Sequence, residues 1–212
     1  MKALKNILFL ALIVMIVMPV MAQKVKDKDF KTKLKLAKKE AKSYEDEGWY
    51  VAPGDLPLEK QLENTYVKQL EEDDYGYPKY IVSSGNSVAG TQSAAKLQAT
   101  ELAKLEIANQ LSSQIAATID NQVANNQINS EEAATLQKTV AASKSIIATR
   151  MGRVIGMVEM YRKNEKTKNI ECAVRIGYSV EMAKQMALAV MKEQLQDEAN
   201  IASDKLEKLL DF

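Results

Sequence analysis

Residues 170–178 read IECAVRIGY, and this alternating stretch decides the fold. Glu171 and Arg175 fall on one parity, whereas apolar or aromatic residues fill the other. The members of this second face are Ile170, Cys172, Val174, Ile176 and Tyr178. Because successive side chains of a β-strand point to opposite faces, the stretch predicts a strand with one face in the core.

A second strand precedes this one in the chain. Residues 154–161, VIGMVEMY, alternate in the same way and place Val154, Val158 and Met160 on one face. The polar link at residues 163–169 is short enough to join the two strands directly. Together they predict an antiparallel hairpin.

A third strand is expected to begin at Tyr80 and to run to about Ala89. The side chains in its middle, at residues 83–86, are small or polar. A long helix follows, because neither Gly nor Pro occurs from Ser93 to about Gln127. Its expected buried positions are Leu97, Leu105, Ala108, Leu111, Ile115, Ile119 and Val123. The many alanines of this helix leave surfaces that a sheet or a second helix can approach closely.

Two further helices complete the pattern. Ser130 is placed to cap a helix that runs to about Ala148, and Ser179 is placed to cap a final helix. The expected buried face of the final helix consists of Met182, Met186 and Val190.

The order strand, long helix, second helix, hairpin, helix predicts an α+β domain at residues 78–192. We expect a three-stranded, mostly antiparallel sheet covered by long helices on one face. Residues 23–77 are predicted to form a helical N-terminal extension, and residues 193–212 a polar continuation of the last helix.

The N-terminal extension begins with a lysine-rich segment of helical period. Its apolar stripe consists of Phe30, Leu34, Ala37, Ala41 and Tyr44. We expect this stripe to pack on the domain with the lysines in solvent. Alternatively, the lysines meet an anionic surface such as lipid headgroups or an envelope polymer. The lysines that would make this contact are Lys31, Lys35, Lys38, Lys39 and Lys42.

A second helix of the extension is expected after Pro57, with Asp55 as its cap. Its buried stripe is Leu58, Leu62, Tyr66 and Leu70. The acidic run at residues 71–74 is unfavourable at the negative end of a helix dipole, so the helix should end there.

The first 22 residues have the pattern of a secretory signal. Lys2 and Lys5 precede an apolar run, and Val20-Met21-Ala22 supplies the small residues that a signal peptidase requires. We therefore expect a periplasmic or secreted protein, cleaved near Ala22. Lipid anchoring is not expected, because the residue that follows is Gln23 and the single cysteine is Cys172. An uncleaved N-terminal anchor is the alternative.

The composition argues against several classes of function. Without the two lysines of the signal, 27 Lys and Arg face 28 Asp and Glu, and such a near-neutral chain is not expected to bind nucleic acid. The chain has no histidine, which removes the commonest general base and metal ligand. No glycine-rich phosphate loop or dinucleotide motif occurs. We expect no cofactor, no metal and no catalytic residues; Cys172 is expected in the core.

Aromatic residues offer a different kind of site. Trp49 and Tyr50 stand beside Pro53-Gly54, where they form either a platform for stacking a sugar or a pin that holds the loop to the domain. Tyr75 and Tyr77 flank Gly76 and extend the candidate ligand or partner contact. Such aromatic clusters more often act as pins.

The strand from Tyr80 to Ala89, the alanine-rich helix after it, and the hairpin that ends in Ile176-Gly177-Tyr178 resemble the twenty-kilodalton bacterial surface-lipoprotein family. They are also similar to the N-terminal domain of the flagellar assembly protein T. The resemblance covers roughly residues 78–192 and implies a small envelope domain of the assembly type, without enzyme activity. The missing lipid-bearing cysteine and the extension at residues 23–77 are departures from that family.

Three functions follow as expectations. The first is an exported, non-enzymatic envelope protein that binds another envelope protein or itself through a sheet edge. The second is a module that binds a small ligand, such as a sugar or peptidoglycan fragment, near the aromatic residues. The third is a hydrolase based on carboxylates, for which the acidic run at residues 71–74 is the densest candidate.

Overall fold

The computed structural model describes residues 30–195. Its elements in chain order are α1 (30–46), α2 (Leu58–Gln69), β1 (Tyr80–Ala89), α3 (Gln92–Ala124), α4 (Ser130–Arg150), β2 (Ile155–Lys163), β3 (Ile170–Ser179) and α5 (Val180–Leu195). The α+β class and the predicted order of elements are confirmed. The signal predicted at residues 1–22 and most of the polar continuation predicted at residues 193–212 lie outside the described residues.

The three strands form one antiparallel sheet in the order β1-β3-β2. The predicted hairpin is confirmed as β2 and β3, and β3 is the central strand. The pairing of β1 with β3 is unbroken from Tyr80, opposite Ser179, to Ala89, opposite Ile170. The pairing of β2 with β3 has an irregularity between Gly156 and Val158.

This irregularity corrects the expected face of β2. An extra residue in one strand shifts the parity of the residues before it. Val158 and Met160 are buried together on the sheet face that α1 and α2 cover, which we call the outer face. Val154 instead packs against the core on the inner face, the face that α3 covers.

The inner face is built on very close contact between β1 and α3. The hydroxyl of Ser87 donates to the Ala95 carbonyl at 2.5 Å, and the hydroxyl of Ser83 donates to the Ala103 carbonyl at 3.0 Å. Between them, Gly85 lies directly on the backbone of Ala99. The strand therefore rests on the small residues Ala95, Ala99 and Ala103, all fully buried.

This contact also corrects the expected stripe of α3. Leu97 is 64% exposed and Leu105 is 36% exposed, because the sheet occupies the alanine side of the helix in its first half. Leucine side chains at the contact would hold the strand too far away for the serine hydroxyls to reach the helix carbonyls. The expected positions in the second half are correct for Leu111, Ile115 and Ile119, which pack in the core that includes α4.

The cap of α4 is Asn129, one residue before the expected Ser130. The Asn129 side chain accepts the Glu132 N–H at 2.9 Å, and the Glu132 carboxylate accepts the Asn129 N–H at 3.2 Å. This reciprocal arrangement is a capping box, which satisfies two backbone donors at the start of the helix.

Asn129→Ala is therefore expected to lower the free energy of unfolding by about 1 kcal/mol, the usual cost of a lost helix cap. Urea denaturation followed by circular dichroism measures this change. Ser130→Ala is the matched control, because the sequence pattern alone assigned the cap to Ser130. A larger loss at Ser130 than at Asn129 would contradict the observed cap.

The cap of α5 is the expected one, since the Met182 N–H donates to the Ser179 hydroxyl at 3.3 Å. The expected buried face is wrong at Met182, which is 53% exposed, and Met186 is only partly buried. The residues of α5 that are buried are Ala183, Ala187, Val190, Met191 and Leu195. Alanines allow α5 to lie close to α4, so the buried stripe follows them.

The outer face is also covered, which corrects the expectation that helices lie on one face only. Ala37 and Ala41 of α1 and Leu58 and Leu62 of α2 pack with Trp49 on the outer face. Beneath them lie the sheet residues Val158, Met160 and Ala173. The described part of the N-terminal extension, residues 30–77, thus contains two helices, and they close the second face of the sheet.

A partly buried ion pair joins α1 to the sheet. The Glu40 carboxylate lies 3.0 Å from the Arg175 guanidinium and accepts the Tyr66 hydroxyl at 2.6 Å. The sequence placed Arg175 on the polar face of β3, and the structure shows that α1 supplies its counter-charge. The cap expected at Asp55 is wrong, because Pro57 precedes α2 and no side chain caps it.

Candidate interaction surface

The two edges of the sheet differ in how their backbone groups are satisfied. At the β2 edge, the Tyr50 N–H donates to the Tyr161 carbonyl at 2.8 Å, and the Tyr161 N–H donates to the Tyr50 carbonyl at 2.8 Å. The Glu159 N–H donates to the Gln61 side-chain oxygen at 2.7 Å. A loop and a side chain therefore block the middle of this edge.

Within the described residues, the β1 edge is open along its length. The Val180 N–H donates to the Lys79 carbonyl in register with the β1–β3 pairing, so the odd-numbered residues of β1 direct their backbone groups to β3. The even-numbered residues direct theirs away from the sheet: Tyr80, Val82, Ser84, Asn86 and Val88. Within residues 30–195, no backbone group from outside the sheet pairs with them. We call these five residues the open edge.

The open edge has none of the features that usually protect a sheet edge. Its strand contains no charged residue and no proline, and its pairing with β3 contains no bulge. Ser84, Asn86 and Val88 are exposed, and Val88 is 57% exposed. Natural edge strands are normally protected by lysine, proline or a bulge, because unpaired strand edges accept other strands.

One flank of α3 lies below the open edge. Lys96, which follows Ala95 in the chain, forms a 2.6 Å ion pair with Glu159 of β2, so this side of the helix faces β2. The residues that precede the buried alanines, including Leu102, therefore lie on the opposite flank, toward the open edge. Leu102 is 49% exposed.

Trp49 is one of the sequence-predicted site residues, and in the structure it pins the loop before α2. Its side chain is 8% exposed and belongs to the outer-face cluster. The Arg162 guanidinium lies 4.7 Å from the ring centroid, and the Tyr44 ring meets it edge-on at 6.4 Å. Little of the ring is left for stacking a sugar.

The other aromatic candidates lie in two separate places. Tyr50 packs against Tyr161 with ring centroids 6.1 Å apart. Tyr75 and Tyr77 are 87% and 66% exposed at the turn before β1, where the Asp73 carboxylate accepts both of their N–H groups. Through Tyr161 and β3, Tyr50 aligns with Ser87, seven residues from the start of β1, or about 23 Å along the strand. The four residues do not share one groove.

A groove of about 690 Å³ does open at the start of β1. Its lining includes Tyr77, Lys79 and Tyr80 at the strand, Gln110 and Gln114 of α3, and Lys184 of α5. Of the four predicted aromatic residues, Tyr77 alone lines it. A second groove of about 450 Å³ lies between α2 and the first residues of β2.

The lysines predicted to meet an anionic surface are all exposed. Lys31, Lys35, Lys38, Lys39 and Lys42 lie on the solvent side of α1. Ala37 and Ala41 of the same helix are buried, as the apolar stripe predicted. The arrangement fits a solvated helix that packs by a narrow stripe, and the anionic surface remains a prediction.

A small polar cluster lies beneath β2. The Glu159 carboxylate accepts the Tyr161 hydroxyl at 2.5 Å and pairs with Lys96, while Cys172 is fully buried beside them. Burial and the neighbouring Glu159 charge raise the pKa of Cys172 from 9.0 to about 11 and also raise the pKa of Tyr161. The Cys172 thiol and the Tyr161 hydroxyl therefore keep their protons near neutral pH. In residues 30–195, no group of three or more acids and cysteines is placed to hold a metal ion.

The raised pKa of Cys172 predicts a loss of stability at alkaline pH. The unfolded chain releases the thiol proton near pH 9, whereas the folded chain holds it to about pH 11. The contribution is therefore complete below pH 9 and is lost as the pH rises to 11. Denaturation at a series of pH values should show a shallower alkaline decline for Cys172→Ala than for the wild type. Equal slopes would contradict the burial of the thiol.

No protein-family model, curated protein or solved structure matches this chain. The resemblance to the surface-lipoprotein family therefore stays a prediction. Within residues 30–195, no helix is long and apolar enough to cross a membrane.

Proposed function

We propose that this chain is an exported bacterial envelope protein of the interaction or assembly type, which binds a partner polypeptide as an added strand on β1. The observation that supports the proposal is that, in residues 30–195, backbone groups of one sheet edge have partners, whereas those of the other edge do not. Tyr50 and Gln61 block the β2 edge, whereas the open edge has no cover among the described residues. Strand addition uses main-chain hydrogen bonds for affinity and alternate side chains for specificity.

Export and the absence of catalysis are parts of the same proposal. Export rests on the signal pattern of residues 1–22. The non-enzymatic character rests on the fate of the polar residues in the structure. The Glu40, Glu159 and Glu171 carboxylates each pair with a cation, and the Asp73 carboxylate organises a turn. These carboxylates already have structural partners.

Crosslinking in intact cells tests the proposal. A photoreactive amino acid at Val88, within the open edge, should attach covalently to a polypeptide. The same amino acid at Glu165, in the β2–β3 turn, is the matched control and should give far less product. Equal products at the two positions, or none at Val88, would contradict binding at the open edge.

A proline variant shows whether main-chain pairing is responsible. Asn86→Pro removes an N–H that points away from β3, so the native pairing with β3 is retained. It should abolish the Val88 crosslink while the melting temperature changes little. A crosslink that persists in this variant would mean contact without strand addition.

The groove at the start of β1 favours a small ligand as the second candidate function. Tyr77 offers a ring for stacking there, and Lys79, Lys184, Asp73 and Glu181 offer groups of both charges to a sugar or a peptidoglycan fragment. A ligand that binds the folded chain raises its melting temperature with the logarithm of ligand concentration. Muropeptides and envelope sugars should produce such a shift, and Tyr77→Ala should remove it. No shift with any of them would eliminate this candidate.

A further inference from the structure

The open edge is suited to pairing with itself. We infer, on the basis of the proposed function, that the strand added to β1 is β1 of a second copy. The two copies would be related by a two-fold axis through Ser84 and would form one continuous six-stranded sheet. A two-fold interface requires one patch to be complementary to itself, and three features of β1 and α3 meet that requirement.

The first feature is the hydrogen-bonding parity. A two-fold axis at Ser84 places residue 82 opposite 86 of the second copy, and residue 80 opposite 88. All of these are even-numbered residues, whose backbone groups point away from β3. In this single register, every N–H and C=O group between Tyr80 and Val88 that points away from β3 has a hydrogen-bonding partner in the second copy.

The second feature is the side-chain chemistry. In this register Tyr80 lies across from Val88, an aromatic residue opposite a β-branched one, which is a favourable cross-strand pair. Val82 lies across from Asn86, and Ser84 meets its own copy. Because β1 carries no charge, no like charges oppose each other across the axis.

The third feature is the flank of α3. Residue 84 lies between Ser83, which contacts Ala103, and Gly85, which contacts Ala99, so the axis passes near this part of α3. Leu102 lies there on the flank toward the open edge and is 49% exposed. Because α3 contacts β3 as well as β1, its axis lies back from the open edge. A strand spacing of about 4.8 Å between the two β1 strands then leaves the two α3 helices roughly 8–10 Å apart, the usual distance of helix packing. Leu102 of each copy would then be covered.

Disulfide trapping tests the register. The Cα atoms of opposed strand residues lie about 5.5 Å apart, within the range that a disulfide spans. Ser84→Cys should give a covalent dimer on mild oxidation, whereas Val88→Cys, displaced by about 26 Å from its copy, should remain monomeric. Native Cys172 is buried and is present in both variants. Dimer from Val88→Cys but not from Ser84→Cys would overturn the inferred register.

Light scattering of the purified protein tests the association itself. The wild type should show twice the monomer mass at micromolar concentration. Ser84→Lys, which places like charges on the axis, should raise the dimer dissociation constant by at least about tenfold. Ala134→Lys, on the exposed side of α4, is the control and should not change it. Equal effects of the two lysines would overturn the inference.

Failure of this inference is distinguishable from failure of the proposed function. A monomeric protein whose Val88 crosslinker captures a different polypeptide, and loses it in Asn86→Pro, would overturn self-pairing and leave strand addition in place. A monomeric protein with no crosslink at Val88 would overturn both.

Discussion

Replacing Gly85 by alanine is expected to lower the free energy of unfolding by about 3 kcal/mol or more, the range of severe steric substitutions in a core. A Cβ atom at this position would lie 2.0 Å from the Ala99 carbonyl oxygen and 2.8 Å from the Ala103 nitrogen. Both are backbone atoms of a long helix, which cannot move aside locally. The strand must separate from α3, and the two serine hydroxyls lose their carbonyl acceptors.

Two glycine variants serve as controls for this prediction, measured by urea denaturation. Gly152→Ala meets no atom within 4 Å and should change stability little. Gly177→Ala brings its Cβ within 2.3 Å of the Met157 terminal methyl group, which belongs to a flexible side chain and can rotate away. We expect an intermediate loss there. A Gly85→Ala variant as stable as Gly177→Ala would contradict the observed spacing of β1 and α3.

Trp49→Ala is expected to lower the free energy of unfolding by about 3 kcal/mol, the lower end of the usual range for truncating a buried tryptophan. The ring is buried in the outer-face cluster between α1 and α2, and the Arg162 guanidinium lies over its face. Its removal weakens the attachment of α1 to the sheet. Limited proteolysis should therefore cleave residues 30–46 in the variant at protease concentrations that leave the wild type intact.

Tyr75→Ala is the control, because this side chain is 87% exposed and should contribute little to stability. The pair of variants also separates the two interpretations of the aromatic residues. If Trp49 served a sugar rather than the loop, its replacement would abolish ligand binding without loss of stability. A stable Trp49→Ala variant would therefore contradict the pinning role.

The two strands of the hairpin were predictable because their side chains alternate between apolar and polar residues. Residues 170–178 read directly as a strand with one buried face, although α1 and α2 cover its other face as well, and the hairpin followed from the polar link before them. The face of Val154 was not predictable, since a bulge leaves no clear signal in the sequence. The cap at Asn129 was missed by one residue because Asn129 and Ser130 are both good capping residues.

The helix faces were less predictable, because the usual rule assigns large apolar residues to the core. In α3 that rule selected Leu97 and Leu105, whereas the sheet contacts the alanines. The signal that was available is the pairing of SSGNS at residues 83–87 with alanines spaced by four. Small residues on both elements indicate a close contact better than leucines on one of them.

The candidate surface was predictable only in part. The lack of charge between Tyr80 and Ala89 is visible in the sequence, and it is the property that leaves the open edge unprotected. The sequence could not show which edge is blocked. The blocking residues, Gln61 and Tyr50, bind partners that lie about a hundred residues away in the chain. The separation of Tyr50 from Tyr77 likewise required the strand order.

The position of β3 at the centre of the sheet has a consequence for how the chain folds. The β2–β3 hairpin closes a short loop, and β1 packs on α3 across a short turn, so each unit depends only on contacts that are local in the chain. Joining them closes a loop of roughly eighty residues, which costs chain entropy that neither unit recovers alone. We therefore expect the docking of these two units to limit the folding rate.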